Sequence, residues 1–186
     1  MHSLTQRANS LASTLTTALF AVFVVVSMLT LVFPPVFNSE SKGIRFNAAK
    51  PIVSLKNTRN YGGARESPKE NAKFKFDMVA DFTDIVDWNT KQVFAYVYVE
   101  LDDAAGLESE DSNKIVVWDK IFTDKNNMYF NMKNIKSKYS LWDYAPQLSG
   151  RKGQFKLGYN VQPHIGPLTF DYIDLNHSFT FPEVKQ

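Results

Sequence analysis

Residues 11–33 read LASTLTTALFAVFVVVSMLTLVF, and this stretch decides how the rest of the chain is arranged. It contains no charged residue, and the charge-free run extends over residues 8–39. As an α-helix, these residues would span roughly 34 Å, which is enough to cross a hydrocarbon core of about 30 Å. The sequence therefore predicts a membrane-spanning helix at residues 11–33.

Two other interpretations of the apolar segment fit the pattern less well. A cleavable signal peptide has a shorter apolar core of about 7–15 residues, followed by small residues at the cleavage site. Here the segment is longer, and Phe33, Pro34 and Pro35 follow it. The buried helix of a soluble protein would carry a polar stripe, whereas the only polar side chains here are hydroxyls. We therefore interpret the segment as an uncleaved membrane anchor.

The orientation of this anchor does not follow from charge. Only Arg7 precedes the segment, whereas Lys42, Arg45 and Lys50 follow it closely. Counted strictly, the positive-inside rule does not favour a cytosolic N-terminus. The choice between the two orientations has to rest on other evidence.

The composition of the remaining chain indicates one domain with balanced charge. About 150 residues follow the anchor, enough to form a core. The chain has 21 Lys and Arg, of which only Arg7 precedes the anchor, against 19 Asp and Glu. This balance argues against nucleic acid as a partner. The absence of cysteine excludes disulfides and cysteine-ligated zinc.

Alternating apolar residues predict a domain made of strands. Residues 73–82 alternate most clearly, while residues 93–101 carry apolar side chains on both faces and are predicted to form a central strand. Further strands are predicted at residues 44–48, 52–55, 114–122, 128–132, 154–161, 168–173 and 175–181, with loops at residues 56–71 and 102–113. This pattern predicts an all-β, antiparallel β-sandwich at residues 44–186. A tail too short to fold (residues 1–10), the anchor and a stalk (residues 34–43) would precede it.

No pattern of catalytic or metal-binding residues is visible in the sequence. The three histidines, His2, His164 and His177, lie in the tail, in a turn and on a strand, and GxSxG, HExxH, P-loop and GxGxxG motifs are absent. The acidic segment at residues 102–113 lacks the spacing of calcium ligands and is interpreted as a solvated hairpin tip. We therefore predict no catalytic, cofactor-binding or metal-binding residue and no small-molecule substrate. A Ser–Lys dyad assembled only by the fold remains an alternative.

One processing signal is present. Asn176, His177 and Ser178 form the single Asn-x-Ser/Thr sequence of the chain. Alternation along the strand predicts that Leu175, His177 and Phe179 face inward and that Asn176 faces outward. A glycan on Asn176 is therefore possible if this side of the membrane is the lumen of the endoplasmic reticulum (ER).

Several segments resemble one known family. RANSL at residues 7–11, FDMVADFTDIVDWNTKQVFAYV at 76–97, NKIVVWDKI at 113–121, MKNIKSKYSLWD at 132–143 and NVQPHIGPL at 160–168 occur in the order typical of the signal peptidase complex subunit 3 family. The resemblance covers most of the chain. Family members can carry a glycosylation signal in the strand that begins here at Gln154, where Asn is missing, so that glycan cannot be carried over.

The resemblance implies a type II ER membrane protein with a cytosolic tail and a lumenal β-sandwich. It also implies a non-catalytic accessory subunit that supports signal-peptide removal by binding the catalytic serine protease subunit and other small membrane subunits. From the residues alone, a membrane-tethered adhesion or chaperone module and a membrane-bound hydrolase stay open as alternatives.

Two segments with tryptophan are candidate functional residues of the domain. Asp87, Trp88 and Asn89 lie in a predicted corner, and Trp118 and Asp119 lie on a predicted strand. Tryptophan is common both in sandwich cores and as an anchor at protein interfaces. The sequence therefore leaves two roles for these residues, core packing or contact with the catalytic subunit.

Overall fold

A computed structural model describes residues 3–35, 43–57, 68–102 and 113–184 of the 186-residue chain. Helix α1, Leu4–Val32, is the single helix in these ranges that is long and apolar enough to cross a membrane. It starts seven residues before the predicted span, so residues 4–10 of the predicted tail continue the helix. The Oγ of Ser3 accepts a hydrogen bond from the backbone N–H of Gln6 at 3.3 Å and caps the helix. The stalk residues 36–42 lie outside the described ranges.

The threonine hydroxyls of α1 donate hydrogen bonds within the helix. Thr14, Thr16 and Thr17 each donate to the carbonyl oxygen four residues earlier, at 2.8–2.9 Å. Because hydrocarbon offers no hydrogen-bonding partner, such internal bonds let hydroxyl side chains lie within a membrane span. These three threonines are therefore compatible with a position inside the membrane.

Nine strands and one short 3-10 helix, Thr83–Ile85, follow α1 in the described residues, and all of the strand pairings are antiparallel. The strands are β1 Arg45–Ala48, β2 Ile52–Lys56, β3 Lys69–Lys73, β4 Lys75–Asp81, β5 Thr90–Leu101, β6 Asn113–Phe122, β7 Tyr129–Lys136, β8 Lys152–Pro163 and β9 Thr169–Thr180. One sheet has the order β1-β4-β7, a second β6-β5-β8-β9, and β2 pairs with β3 alone. The all-β prediction is confirmed.

Most strand boundaries differ from prediction by a few residues, and two differences change the number of strands. Strand β3, Lys69–Lys73, begins inside the loop predicted at residues 56–71. The sequence did not predict it because its few apolar side chains give no alternation signal. The two strands predicted at residues 168–173 and 175–181 are one strand, β9, with an irregularity at Leu175 and Asn176. The acidic segment mostly lies outside the described ranges, at residues 103–112.

The core lies between the three-stranded and four-stranded sheets and is rich in aromatic rings. Phe74 of the first layer packs against Phe155 of β8 at 5.2 Å between ring centroids, and Phe82 packs against Phe122 of β6 at 5.5 Å. Strand β5 is central in its sheet, as predicted, and its inward side chains Val93, Ala95, Val97, Val99 and Leu101 are fully buried. The alternate side chains of β5 lie on the other face of this sheet, away from the core.

Candidate interaction surfaces

The corner before β5 is a closed turn that presents a tryptophan to the outside. The backbone N–H of Asp87 donates to the Oγ1 of Thr90 at 3.0 Å, and that hydroxyl donates to the Asp87 carboxylate at 2.7 Å. The Nζ of Lys125 donates to the carbonyl oxygens of Asp87 and Trp88 at 3.2 and 3.1 Å. Trp88 itself is 71% exposed. Four hydrogen bonds thus fix the turn, while its largest side chain projects outward.

Asn89 joins this corner to the end of helix α1. Its side chain is buried, and its Nδ2 donates to the Oγ1 of Thr30 at 3.1 Å and to the carbonyl oxygen of Ile165 at 2.8 Å. Its Oδ1 accepts from the backbone N–H of Ile165 at 3.1 Å. Gly166 has φ +122°, and a Cβ there would lie 3.2 Å from the Thr30 side chain. We call these four residues, Thr30, Asn89, Ile165 and Gly166, the helix–domain junction.

The second tryptophan segment has a different environment. Trp118 is 4% exposed, and its ring lies 6.3 Å from the rings of Phe76 and Phe130, across the sandwich. Asp119 accepts an ion-pair hydrogen bond from Lys138 at 3.2 Å. Trp118 is therefore a core residue, and Asp119 lies at the surface of the same strand.

The two segments are not brought together. Trp118 pairs with Val97 of β5, seven residues along the strand from Thr90. At about 3.3 Å per residue this separates the segments by roughly 23 Å. The candidates from the sequence thus divide into a surface corner near the helix and a core position further along the sheet.

The outward face of the four-stranded sheet carries a continuous set of aromatic side chains. Phe94, Tyr96 and Tyr98 of β5 form a row with ring centroids 5.5 and 5.8 Å apart. Phe170 and Tyr172 of the edge strand β9 continue it and are 65% and 60% exposed. We call these five residues the aromatic face. Tyr98 is buried and Phe94 and Tyr96 are half-buried, so Phe170 and Tyr172 form the exposed part of the face. Exposed aromatic patches mark contact sites in many proteins.

A shallow depression of about 340 Å³ lies in the aromatic face. Its floor depends on Gly158 of β8, because a Cβ at this position would lie 2.3 Å from the Cζ of Tyr96. The absent side chain lets the Tyr96 ring lie flat on the strand. The depression is lined by Tyr96, Tyr98, Lys114, Val116, Phe170, Asp171 and Tyr172.

The polar groups around the aromatic face form one charged cluster. The Nζ of Lys156 lies 2.5 Å from the Glu100 carboxylate and 3.6 Å from that of Asp174. The hydrogen bond to Glu100 raises the pKa of Lys156, so this lysine is charged at neutral pH. Burial raises the pKa of the neighbouring Tyr98 to about 12, and its phenol is neutral. The face therefore combines rings with a fixed ion pair at one end.

The sequence reasoning did not single out the aromatic face, and it named Asn89 of the junction only as part of the predicted corner. A signal for the face was present, since Phe94, Tyr96 and Tyr98 alternate with small aliphatic residues in a strand recognised as apolar on both sides. No local signal could have linked Asn89 to Thr30, which is 59 residues away.

Asn176 lies in the irregularity of β9. Its side chain is exposed, and its φ of +50° falls in the left-handed region. The register passes from Phe155–His177 to Lys156–Asp174, which leaves Leu175 and Asn176 without a partner on β8. The acceptor side chain thus points outward from an edge strand, on the face predicted from alternation.

Within the described ranges, no group of three or more His, Asp or Glu side chains is arranged to hold a metal ion. His177 lies between the rings of Phe46 and Phe155, at 5.8 and 5.9 Å between centroids. Its imidazole is therefore part of the packing. The geometry that the described residues provide is one of surfaces for contact.

Comparison with known proteins identifies the family. The profile of the family described as "Signal peptidase subunit" matches residues 1–184. The chain belongs to this family. A relative from Debaryomyces hansenii named "Signal peptidase complex subunit 3" is 46% identical over 72% of this chain and 69% of its own length. Proteins of the same name from Yarrowia lipolytica (34% identical, over 99% of this chain and 100% of the relative) and Homo sapiens (29%, over 100% and 97%) match almost end to end. The resemblance inferred from the sequence motifs is confirmed.

Proposed function

We propose that this chain is a non-catalytic accessory subunit of the signal peptidase complex in the ER membrane. It supports the removal of signal peptides by binding the catalytic serine protease subunit and holding it at the membrane. The observation that carries the proposal is family membership over residues 1–184, combined with one apolar helix followed by a β-domain. In this function the helix anchors the chain and the domain supplies contact surfaces.

The aromatic face is the surface that we assign to the catalytic subunit. Its rings lie on a sheet whose other side is already packed in the core, so the backbone beneath them is rigid. Tyrosine and phenylalanine are enriched in interfaces because they bury a large area at a small cost in conformational entropy. Phe170 and Tyr172, both more than half exposed, lie on an edge strand where a partner has access.

The proposed orientation is type II, with the tail before the anchor in the cytosol and the domain in the ER lumen. It agrees with the resemblance of the chain to the subunit 3 family and with the outward position of Asn176. In sealed microsomes, we expect protease to leave the domain intact until detergent is added. Digestion of the domain without detergent would contradict this orientation.

Co-purification tests the subunit role. The tagged full chain, extracted in mild detergent, should bring down the catalytic subunit together with signal-peptide cleavage activity. Replacing both Phe170 and Tyr172 by alanine should reduce recovery of the catalytic subunit about tenfold or more, since interface aromatics often contribute 1.4 kcal/mol or more.

Tyr129→Ala is the matched control, because Tyr129 is an exposed tyrosine on β7 of the other sheet. This control should recover the catalytic subunit like the unaltered chain. Equal recovery in the control and the double variant would exclude the aromatic face as the contact. Peptidase activity of the chain purified away from all other subunits would contradict the non-catalytic role.

A further inference from the structure

The helix–domain junction determines how far from the membrane the domain lies. Arg7 is the only charged residue of α1, and the uncharged helix that follows, residues 8–32, spans about 37 Å. A hydrocarbon core of about 30 Å centred on this segment ends close to Thr30. Because Asn89 donates to Thr30 and Gly166 packs on it, both residues lie at the boundary between hydrocarbon and headgroups.

Trp88 precedes Asn89 in the chain, and its exposed side chain lies at the same boundary between hydrocarbon and headgroups. Leu168, two residues after Gly166, is also exposed, at 50%. Tryptophan is enriched at membrane–water interfaces, where its ring meets the acyl chains and its indole N–H meets the headgroups. The turn that carries Trp88 is fixed by hydrogen bonds to Thr90 and Lys125, so the ring is held outward.

We propose that Trp88 and residues 164–168, together the membrane tip, rest in the headgroup layer of the bilayer, with Trp88 as an interfacial anchor. The proposal requires the membrane anchorage in the proposed function but not the contact with the catalytic subunit. As a consequence, the membrane tip holds the aromatic face at a fixed height and angle above the membrane. The face begins within a few residues of the tip, at Phe94 and Phe170.

Charge at the tip indicates a neutral lipid surface as the partner. Asp84 and Asp87 are exposed beside Lys91 and Lys125, so no single sign dominates. A contact with anionic lipid would require an excess of basic side chains. The contact with lipid should therefore be insensitive to salt and to added phosphatidylserine.

The three tryptophans of the chain allow a direct test. Trp88 lies at the tip, and Trp118 is buried midway along the sheet. Trp142 precedes Asp143, which accepts a hydrogen bond from Asn113 at 2.9 Å, at the far end of β5. That end is about 36 Å from Thr90. The full chain is reconstituted into phosphatidylcholine vesicles with or without lipid brominated on the acyl chain near the headgroup, which quenches tryptophan only at short range.

We expect brominated lipid to quench part of the fluorescence of the unaltered chain. Trp88→Phe should remove that quenched part almost completely, whereas Trp142→Phe should leave it unchanged. Thermal unfolding of each variant in detergent, with a midpoint like that of the unaltered chain, verifies folding. Quenching that persists in Trp88→Phe, or that is absent from the unaltered chain, would overturn the proposal.

The same variants separate this inference from the proposed function. If Trp88 instead contacts another subunit, Trp88→Phe will lower co-purification of the catalytic subunit while vesicle quenching is absent, which also overturns the lipid contact. Normal co-purification and protease protection without quenching would leave the accessory role intact and remove only the membrane tip.

Discussion

Asn89 illustrates at the scale of a single residue how the domain is fastened to its helix. An amide side chain both donates and accepts, and here it donates to Thr30 and to the carbonyl oxygen of Ile165 while accepting from the N–H of Ile165. The side chain is only 3% exposed, so water cannot replace a lost partner. Few other residue types could satisfy all three bonds in the same space.

Asn89→Asp tests this requirement with almost no change of shape. A carboxylate cannot donate, so the bonds to Thr30 and to the Ile165 carbonyl are lost. The free energy of unfolding should fall by about 1–3 kcal/mol. Urea unfolding of the full chain in detergent measures this. Thr30→Val, which removes one hydroxyl and keeps the shape, should cost less, about 1 kcal/mol. An unchanged Asn89→Asp midpoint would contradict the role of the junction.

Tyr98 predicts how stability depends on pH in alkali. Burial raises the pKa of its phenol to about 12 in the folded chain, against 10.0 in the unfolded chain. The folded state therefore holds this proton more tightly, and its contribution to stability is complete below pH 10 and is lost as pH rises towards 12.

Tyr98→Phe removes this titration and keeps the ring. The two pKa values of Tyr98, 10.0 and about 12, define the pH range of the effect. In this range we expect the unfolding free energy of the unaltered chain to fall more steeply with pH than that of the variant. The comparison cancels the titration of lysines and other tyrosines. Parallel curves would show that Tyr98 does not carry a raised pKa.

At the scale of elements, β9 shows why the sequence of one continuous strand can predict two separate strands. Alternation continues on both sides of Leu175 and Asn176, but these two residues have no partner on β8. Asn176 adopts φ +50°, a conformation that asparagine tolerates better than most residues. The irregularity therefore lies within one strand and turns the Asn176 side chain outward.

Glycosylation of Asn176 is the prediction at this scale. When the full chain is made in microsomes, treatment with an endoglycosidase should increase its mobility. Ser178→Ala should abolish this shift because the hydroxyl is required for recognition of the acceptor, while Ser178→Thr should retain it. Ser178 is exposed, so we expect neither substitution to disturb the packing around Asn176. An endoglycosidase without effect on the unaltered chain would contradict the assignment.

Helix α1 illustrates how the boundary of an element depends on its cap. The predicted span began at residue 11, where the dense apolar residues begin. The helix begins at Leu4 because Ser3 caps it and because no proline or glycine interrupts residues 4–33. Arg7 is thus part of the helix and lies where it can reach the headgroups.

At the scale of the whole molecule, the described residues form two packed sheets and the β2–β3 pair after a long apolar helix, and aromatic rings fill much of the core between the two sheets. Trp118 contacts rings from both β4 and β7. Trp88 lies outside this core and contributes to the surface. Trp118 therefore contributes to the stability of the domain, whereas Trp88 does not contribute to the core.

Trp118→Ala should lower the free energy of unfolding by about 3–5 kcal/mol, because a large buried ring leaves a cavity. Trp88→Ala should change it by less than about 0.5 kcal/mol, as is usual for exposed positions. Thermal unfolding of both full-length variants in detergent measures the contrast. Similar losses for the two variants would contradict the division into core and surface.

The sequence by itself determined the elements whose signal is local. A charge-free segment long enough to cross the bilayer predicts the helix, and alternation predicts most strands and the central position of β5. Residue types and spacing were sufficient because both signals repeat within one element.

The tertiary structure decided what depends on partners distant in the sequence. Trp88 and Trp118 look alike locally, but only strand pairing leaves one exposed and buries the other. The bond from Asn89 to Thr30 and the meeting of Tyr96 with Gly158 likewise join separate elements. Local periodicity carries no information about such pairings, because register and layer packing arise only when the two sheets close on each other.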